Sequence, residues 1–112
     1  MTKPKQRAHS RYSRDAGVLL GQLIRRNRIE RKLTVEEVAQ RSGVSRGLLR
    51  RIERGDPACS IGSVFEAASI AGVRLFDADQ STIAANLAAN AATLTLLPTT
   101  VRTSTTVVKD DF

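Results

Sequence analysis

The sequence predicts an all-α fold: a small helical bundle with one short strand, an extra C-terminal helix and flexible tails. Three observations predict it. Apolar residues recur at helical spacing, capping residues stand in front of the apolar segments, and Gly or Pro follows those segments. A chain of 112 residues holds one small core plus tails. With only 4% aromatic residues, that core falls to Leu, Ile, Val and Ala. Such a core gains stability when the chain pairs with a second copy.

Each element follows from its own signals. Residues 1–14 are polar and basic and are expected to form a disordered arm. It either lies along phosphates or in a minor groove, or is a solvated tail. A first helix is expected from Asp15 to Arg31, with Leu20, Leu23, Ile24 and Arg28 on one side. Thr34 followed by Glu37 is a capping box, so a second helix starts there, turns Val38 and Ala39 inward and ends before Gly43. Ser45 is a good N-cap for a third helix, Arg46 to about Arg54, which Gly55 and Pro57 end. A fourth starts at Ser60 and stops at Gly72, and Val73–Phe76 reads as a short strand. Asp79 caps a fifth helix through about Leu96, with Ile83, Leu87, Ala91 and Leu94 on one face and Pro98 beyond its end. The expected division is an arm over 1–14, a compact domain over 15–76, a C-terminal helix over 77–98 and a flexible tail over 99–112.

Charge points to a polyanion. The net charge is +7, and residues 1–54 hold 15 of the 18 Lys and Arg but only 5 of the 11 Asp and Glu. Stepping about 100° per residue along the third helix places Arg46, Gly47, Arg50, Arg51 and Arg54 within about 140° of one another. Leu48, Leu49, Ile52 and Glu53 take the other side. An arginine face of this kind suits a DNA major groove, because a guanidinium pairs bidentately with guanine or bridges phosphates.

Other chemistries find little support. His9 is the only histidine and Cys59 the only cysteine, so neither an acid–base pair of histidines nor a Cys-based zinc site or internal disulfide can be built. No phosphate-cradling Gly loop appears. The sequence therefore implies no enzyme, no metal and no cofactor. Residues 1–14 lack the apolar stretch of a secretory signal, and residues 80–101 are too polar for a membrane span. The expected location is the cytoplasm, on the bacterial nucleoid. Asp110 and Asp111 read as a hydrated end, or as a docking strip for a partner with Phe112 as its anchor.

The run from Leu20 to Gly55 resembles the lambda-repressor/Cro type of helix-turn-helix, the XRE family. The resemblance rests on Leu20 to Arg28, Leu33-Thr34, Gly43-Val44 and Ile52-Glu53-Arg54-Gly55. It implies that Arg46, Gly47, Arg50 and Arg51 face base edges or adjacent phosphates of double-stranded DNA; Ser45 and Arg54, at the two ends of the same helix, are DNA-binding candidates with them. It implies a phosphate contact at Thr34, and a buried salt bridge between Arg28 and Glu53 that is structural. The chain departs from the family at Val35, where Gln is usual, at Lys32, where Gly is frequent, and at Gly47, where a longer side chain often reads a base.

Residues 55–79 and the closing Asp110-Asp111-Phe112 resemble HipB-type antitoxins. That resemblance implies a homodimer on a palindromic operator, paired across its two-fold through Val73–Phe76, and a HipA-like kinase toxin as partner. The alternatives are a stand-alone XRE regulator, a HigA-like antitoxin of another type II system, or a protein–protein adaptor that does not bind DNA.

Overall fold

The computed structural model describes residues 9–101 and 103. The expectations for residues 1–8 and for Asp110, Asp111 and Phe112 lie outside the described residues. In chain order the helices are α1 (Arg11–Glu30), α2 (Val35–Ser42), α3 (Arg46–Glu53), α4 (Ile61–Ala71) and α5 (Gln80–Thr95). The chain divides into two compact units, residues 1–77 and 78–112.

Helix α1 starts at Arg11, four residues before the expected Asp15, because Ser10 provides an earlier cap. Its hydroxyl accepts the Ser13 N–H at 3.1 Å. Arg11 and Arg14, expected in the arm, are therefore helical. The starts of the later helices follow the same chemistry: Thr34, Ser45, Ser60 and Asp79 each accept a backbone N–H from the first turn they precede.

The ends of α1 to α4 share one geometry. Each closes through a hydrogen bond from an N–H to the carbonyl five residues back: Leu33 to Arg28, Val44 to Ala39, Asp56 to Arg51 and Val73 to Ala68. This closure places the residue before the donor in the left-handed region. Glycine takes that place at 43, 55 and 72, with φ of 73°, 77° and 85°. At the end of α1 Lys32 takes it, with φ 61°. The departure from the family's frequent Gly thus leaves the turn intact and puts a residue with a Cβ into a conformation that costs it about 1–2 kcal/mol.

The core of the first unit draws on all four of its helices. Ile24 from α1, Val38 from α2 and Leu49 and Ile52 from α3 are fully or almost fully buried, together with Ala39, Ala67, Ala68 and Ala71. Burying each of the larger side chains stabilises the fold by about 1.5–3 kcal/mol. Helix α1 comes closest to α3 at Gly21. A Cβ built there would stand 2.5 Å from the Ile52 carbonyl oxygen and 2.7 Å from that of Glu53. The backbones of the two helices therefore touch directly at this point.

The expected strand at Val73–Phe76 is not formed. Leu75–Asp77 is a short 3₁₀ turn, and Phe76 and Asp77 both have positive φ, 55° and 53°. Two successive left-handed residues cannot lie in an extended strand. The turn sets the Phe76 ring edge-on against Phe65, with ring centroids 6.3 Å apart. Among the described residues there is no strand.

In the second unit, α5 begins at Asp79, which accepts the Thr82 N–H at 2.9 Å. The helix has no charged residue, and Leu87 and Leu94 of its expected apolar face are exposed. Among the described residues no helix is long and apolar enough to cross a membrane.

Gly21→Ala tests the contact between α1 and α3. Helix propensity alone favours Ala by about 1 kcal/mol, whereas overpacking costs about 1–3 kcal/mol. Contact at 2.5 Å with main-chain oxygen makes the second effect win. Urea denaturation is expected to show a net loss of stability; a gain would mean that the two backbones have room to separate.

Candidate nucleic-acid interface

The site is α2, the turn after it and α3. Gly43 leads the chain out of α2, and within three residues Ser45 caps α3, its Oγ accepting the Leu48 N–H at 3.0 Å. The turn is short because only Val44 separates the residue that ends α2 from the residue that caps α3. Leu49 and Ile52 anchor α3 in the core, so Arg46, Gly47, Arg50 and Arg51 are left exposed on its other side. Arg54 is the C-cap of α3 and is also exposed.

The arginines differ in freedom. Arg51 is held: its Nε donates to Asp56 Oδ2 at 2.9 Å, while Asp56 Oδ1 accepts the Ala58 N–H at 2.9 Å. The Ala58 N–H, and after it the Arg51 guanidinium, hold the Asp56 carboxyl below its ordinary value. Arg46, Arg50 and Arg54 make no ion pair among the described residues.

Arg28 and Glu53 lie behind this face and join α1 to α3. Arg28 Nε donates to Glu53 Oε2 at 2.7 Å and one terminal nitrogen to Oε1 at 3.1 Å. The other terminal nitrogen donates to the Leu33 carbonyl at 3.0 Å. Their side chains are 11% and 7% exposed. The bidentate geometry and the third bond hold the guanidinium inside the domain through all three of its nitrogens.

Thr34 sits at the start of α2 within a complete capping box. Its Oγ1 accepts the Glu37 N–H at 3.0 Å, and its own N–H donates to Glu37 Oε1 at 2.8 Å. The Thr34 N–H bond is the main reason the Glu37 carboxyl lies below its ordinary value. The positive end of α2 therefore already faces a carboxylate of its own chain, with Glu36 beside it. What Thr34 has left for a phosphate is its hydroxyl proton.

Residues 19–80 match the family model described as a helix-turn-helix domain. The chain belongs to the helix-turn-helix domain family. None of the curated proteins and none of the solved structures compared with it matches the chain. The helix-turn-helix match covers α2, α3 and their turn together with α4 and most of α1. With it, the chain is a DNA-binding regulator of helix-turn-helix type.

Sequence reasoning gives no role to Asp56, although a carboxylate five residues after an arginine at a helix end is a visible pairing signal. It also passes over Gly21. A lone glycine inside a helical pattern marks close backbone approach when it has a packing reason, and here it has one.

Arg28→Met would leave the Glu53 carboxylate buried without its cation. We expect a loss of about 3–5 kcal/mol in chemical denaturation. Replacing both residues by Met is expected to restore much of that loss, and a double variant no more stable than the single one would mean that the damage lies in packing and not in the stranded charge.

Proposed function

We propose that this helix-turn-helix protein is a sequence-specific transcriptional repressor, a binding protein and not an enzyme. One observation carries the reading. Arg46 and Arg50 stand exposed and unpaired, among the described residues, on a short helix whose other side is locked into the core. Such a helix enters a major groove as a rigid body, and its arginines read guanine edges or grip phosphates. Ser45, Gly47, Arg51 and Arg54 complete the surface, and Thr34 adds a hydroxyl at its border. With Gly47 on the same side of the helix, main chain can approach the groove between Arg46 and Arg50.

The protein acts as a homodimer on a palindromic operator, two copies of α3 entering successive major grooves about 34 Å apart. Exposed Leu19, Ile61 and Phe76, and Leu87 and Leu94 on α5, are apolar side chains that association would cover. The finer proposal is an antitoxin that represses its own operon and binds a HipA-like kinase toxin through its C-terminal half. It is supported by the resemblance of residues 55–79 and by the exposed, uncharged α5; the strand expected to pair across the dimer two-fold gives it no support.

DNA binding is tested by Ala substitution on α3, measured by fluorescence anisotropy between about 50 and 200 mM salt. Arg46→Ala and Arg50→Ala are expected to weaken binding. Where an arginine neutralises a phosphate, its removal should lower the salt slope by about 0.9. Arg51→Ala should weaken binding less, because Asp56 already holds that guanidinium. Unchanged binding in all three would remove α3 from the groove.

The antitoxin role is tested by affinity capture of the tagged protein from its native host at moderate salt. A stoichiometric kinase-like partner identified by mass spectrometry is the expected result. Recovery of DNA with no protein partner would leave a stand-alone repressor.

A further inference from the structure

An open cleft of about 290 Å³ lies beside α3, lined by Arg25, Arg28, Val35, Arg50, Glu53 and Arg54. Two of these charges cancel, since Glu53 is bound bidentately by Arg28. The other three are cations, and none of them forms an ion pair among the described residues. Asp56, the carboxylate nearest in sequence to Arg54 after Glu53, is committed to Arg51 and to the Ala58 N–H. Val35 contributes an apolar wall with no side-chain hydrogen bond to offer. Three cations without an ion-pair partner among the described residues line one concavity, and a bound anion there would offset their charge.

We infer that this cleft seats a phosphate group of the DNA backbone, with Arg25 supplied by α1 and Arg54 by the end of α3. The chemistry recognised is that of a phosphate. The DNA backbone is its source because Arg50 belongs both to the cleft and to the exposed face of α3. A strand whose bases face α3 carries its phosphates past Arg50 and into the cleft. Arg25 then anchors the backbone from α1, and it fixes how far α3 turns in the groove. This inference rests on the reading of α3 as the DNA-facing helix.

The test uses the full chain and a random-sequence DNA duplex of about 25 base pairs, a length that spans more than two helical turns. Binding is followed by anisotropy across about 50–200 mM salt. Arg25→Ala is expected to weaken binding and to lower the salt slope by about 0.9, the value for one phosphate left without its cation. Arg25→Lys, which keeps the charge, should retain most of the slope. Arg26→Ala is the control: Arg26 is the next residue of α1, but it is paired with Glu30 at 3.1 Å and does not line the cleft. It should leave the slope unchanged.

If Arg50→Ala weakens binding while Arg25→Ala does not, the cleft is not a phosphate seat and the α3 reading stands. If neither variant changes binding, the seat falls, and the α3 reading falls with it when Arg46→Ala and Arg51→Ala are also without effect. Equal effects of Arg25→Ala and Arg26→Ala would show a diffuse charge effect and overturn the seat. A separate titration with inorganic phosphate, followed by NMR of the arginine side chains, distinguishes the source. Saturable shifts at Arg25, Arg50 and Arg54, with DNA affinity indifferent to Arg25→Ala, would assign the cleft to a free phosphorylated ligand and overturn the DNA assignment.

Discussion

The geometry of the domain depends on the pair formed by Arg28 and Glu53. One guanidinium reaches the far end of α3 through both carboxylate oxygens and the approach to α2 through the Leu33 carbonyl. Three segments separated along the chain are thereby fixed by a single side chain. A buried pair of this kind adds little net stability over an apolar replacement, because both charges are taken out of water. What it supplies is register. Only one rotation of α3 about its axis brings Glu53 to Arg28, and that rotation also buries Leu49 and Ile52 and turns Arg46 and Arg50 outward.

Charge is sorted by the same arrangement. Three carboxylates around the basic face are engaged within the chain: Glu53 by Arg28, Asp56 by Arg51 and Ala58, Glu37 by the start of α2. The cations are not matched in the same way, so the surface around α3 keeps an excess of positive charge. Glu36 and Glu37 stand in the first turn of α2, and Glu36 shares a cleft with Arg46. A polyanion therefore meets attraction over α3 and repulsion along the start of α2, which limits the angles at which it can lie.

Most of the first unit is legible in the sequence because its signals are local. Thr34 with Glu37, Ser45 before Arg46, and Gly43 and Gly72 after apolar runs each specify a helix end through atoms only a few residues apart. Helical projection is enough to separate Arg46 and Arg50 from Leu49 and Ile52. The start of α1 escapes a sequence reading because Ser10 stands in a stretch so basic that composition suggests no structure. The strand at Val73–Phe76 fails for a different reason. Val, Leu and Phe favour strands, but a strand is set by pairing, and here the chain turns left-handed at Phe76 and Asp77 and sets Phe76 edge-on against Phe65. The Arg25 cleft is not legible either, since it joins Arg25 to Arg50 and Arg54 across a span that no periodicity connects.

The contact of main chain against main chain at Gly21 has a thermodynamic consequence for recognition. Where side chains separate two helices, their rotamer changes let the helices shift; where backbone meets backbone, nothing soft lies between. The contact at Gly21 thus limits how far α3 can shift against α1. On the proposed reading of α3 as the DNA-facing helix, association orders chiefly its free arginine side chains, at about 0.5–1.5 kcal/mol each. Arg51, already tied to Asp56, has surrendered part of that freedom in advance. The entropy of presenting the recognition surface is lost at folding, and it does not weaken binding.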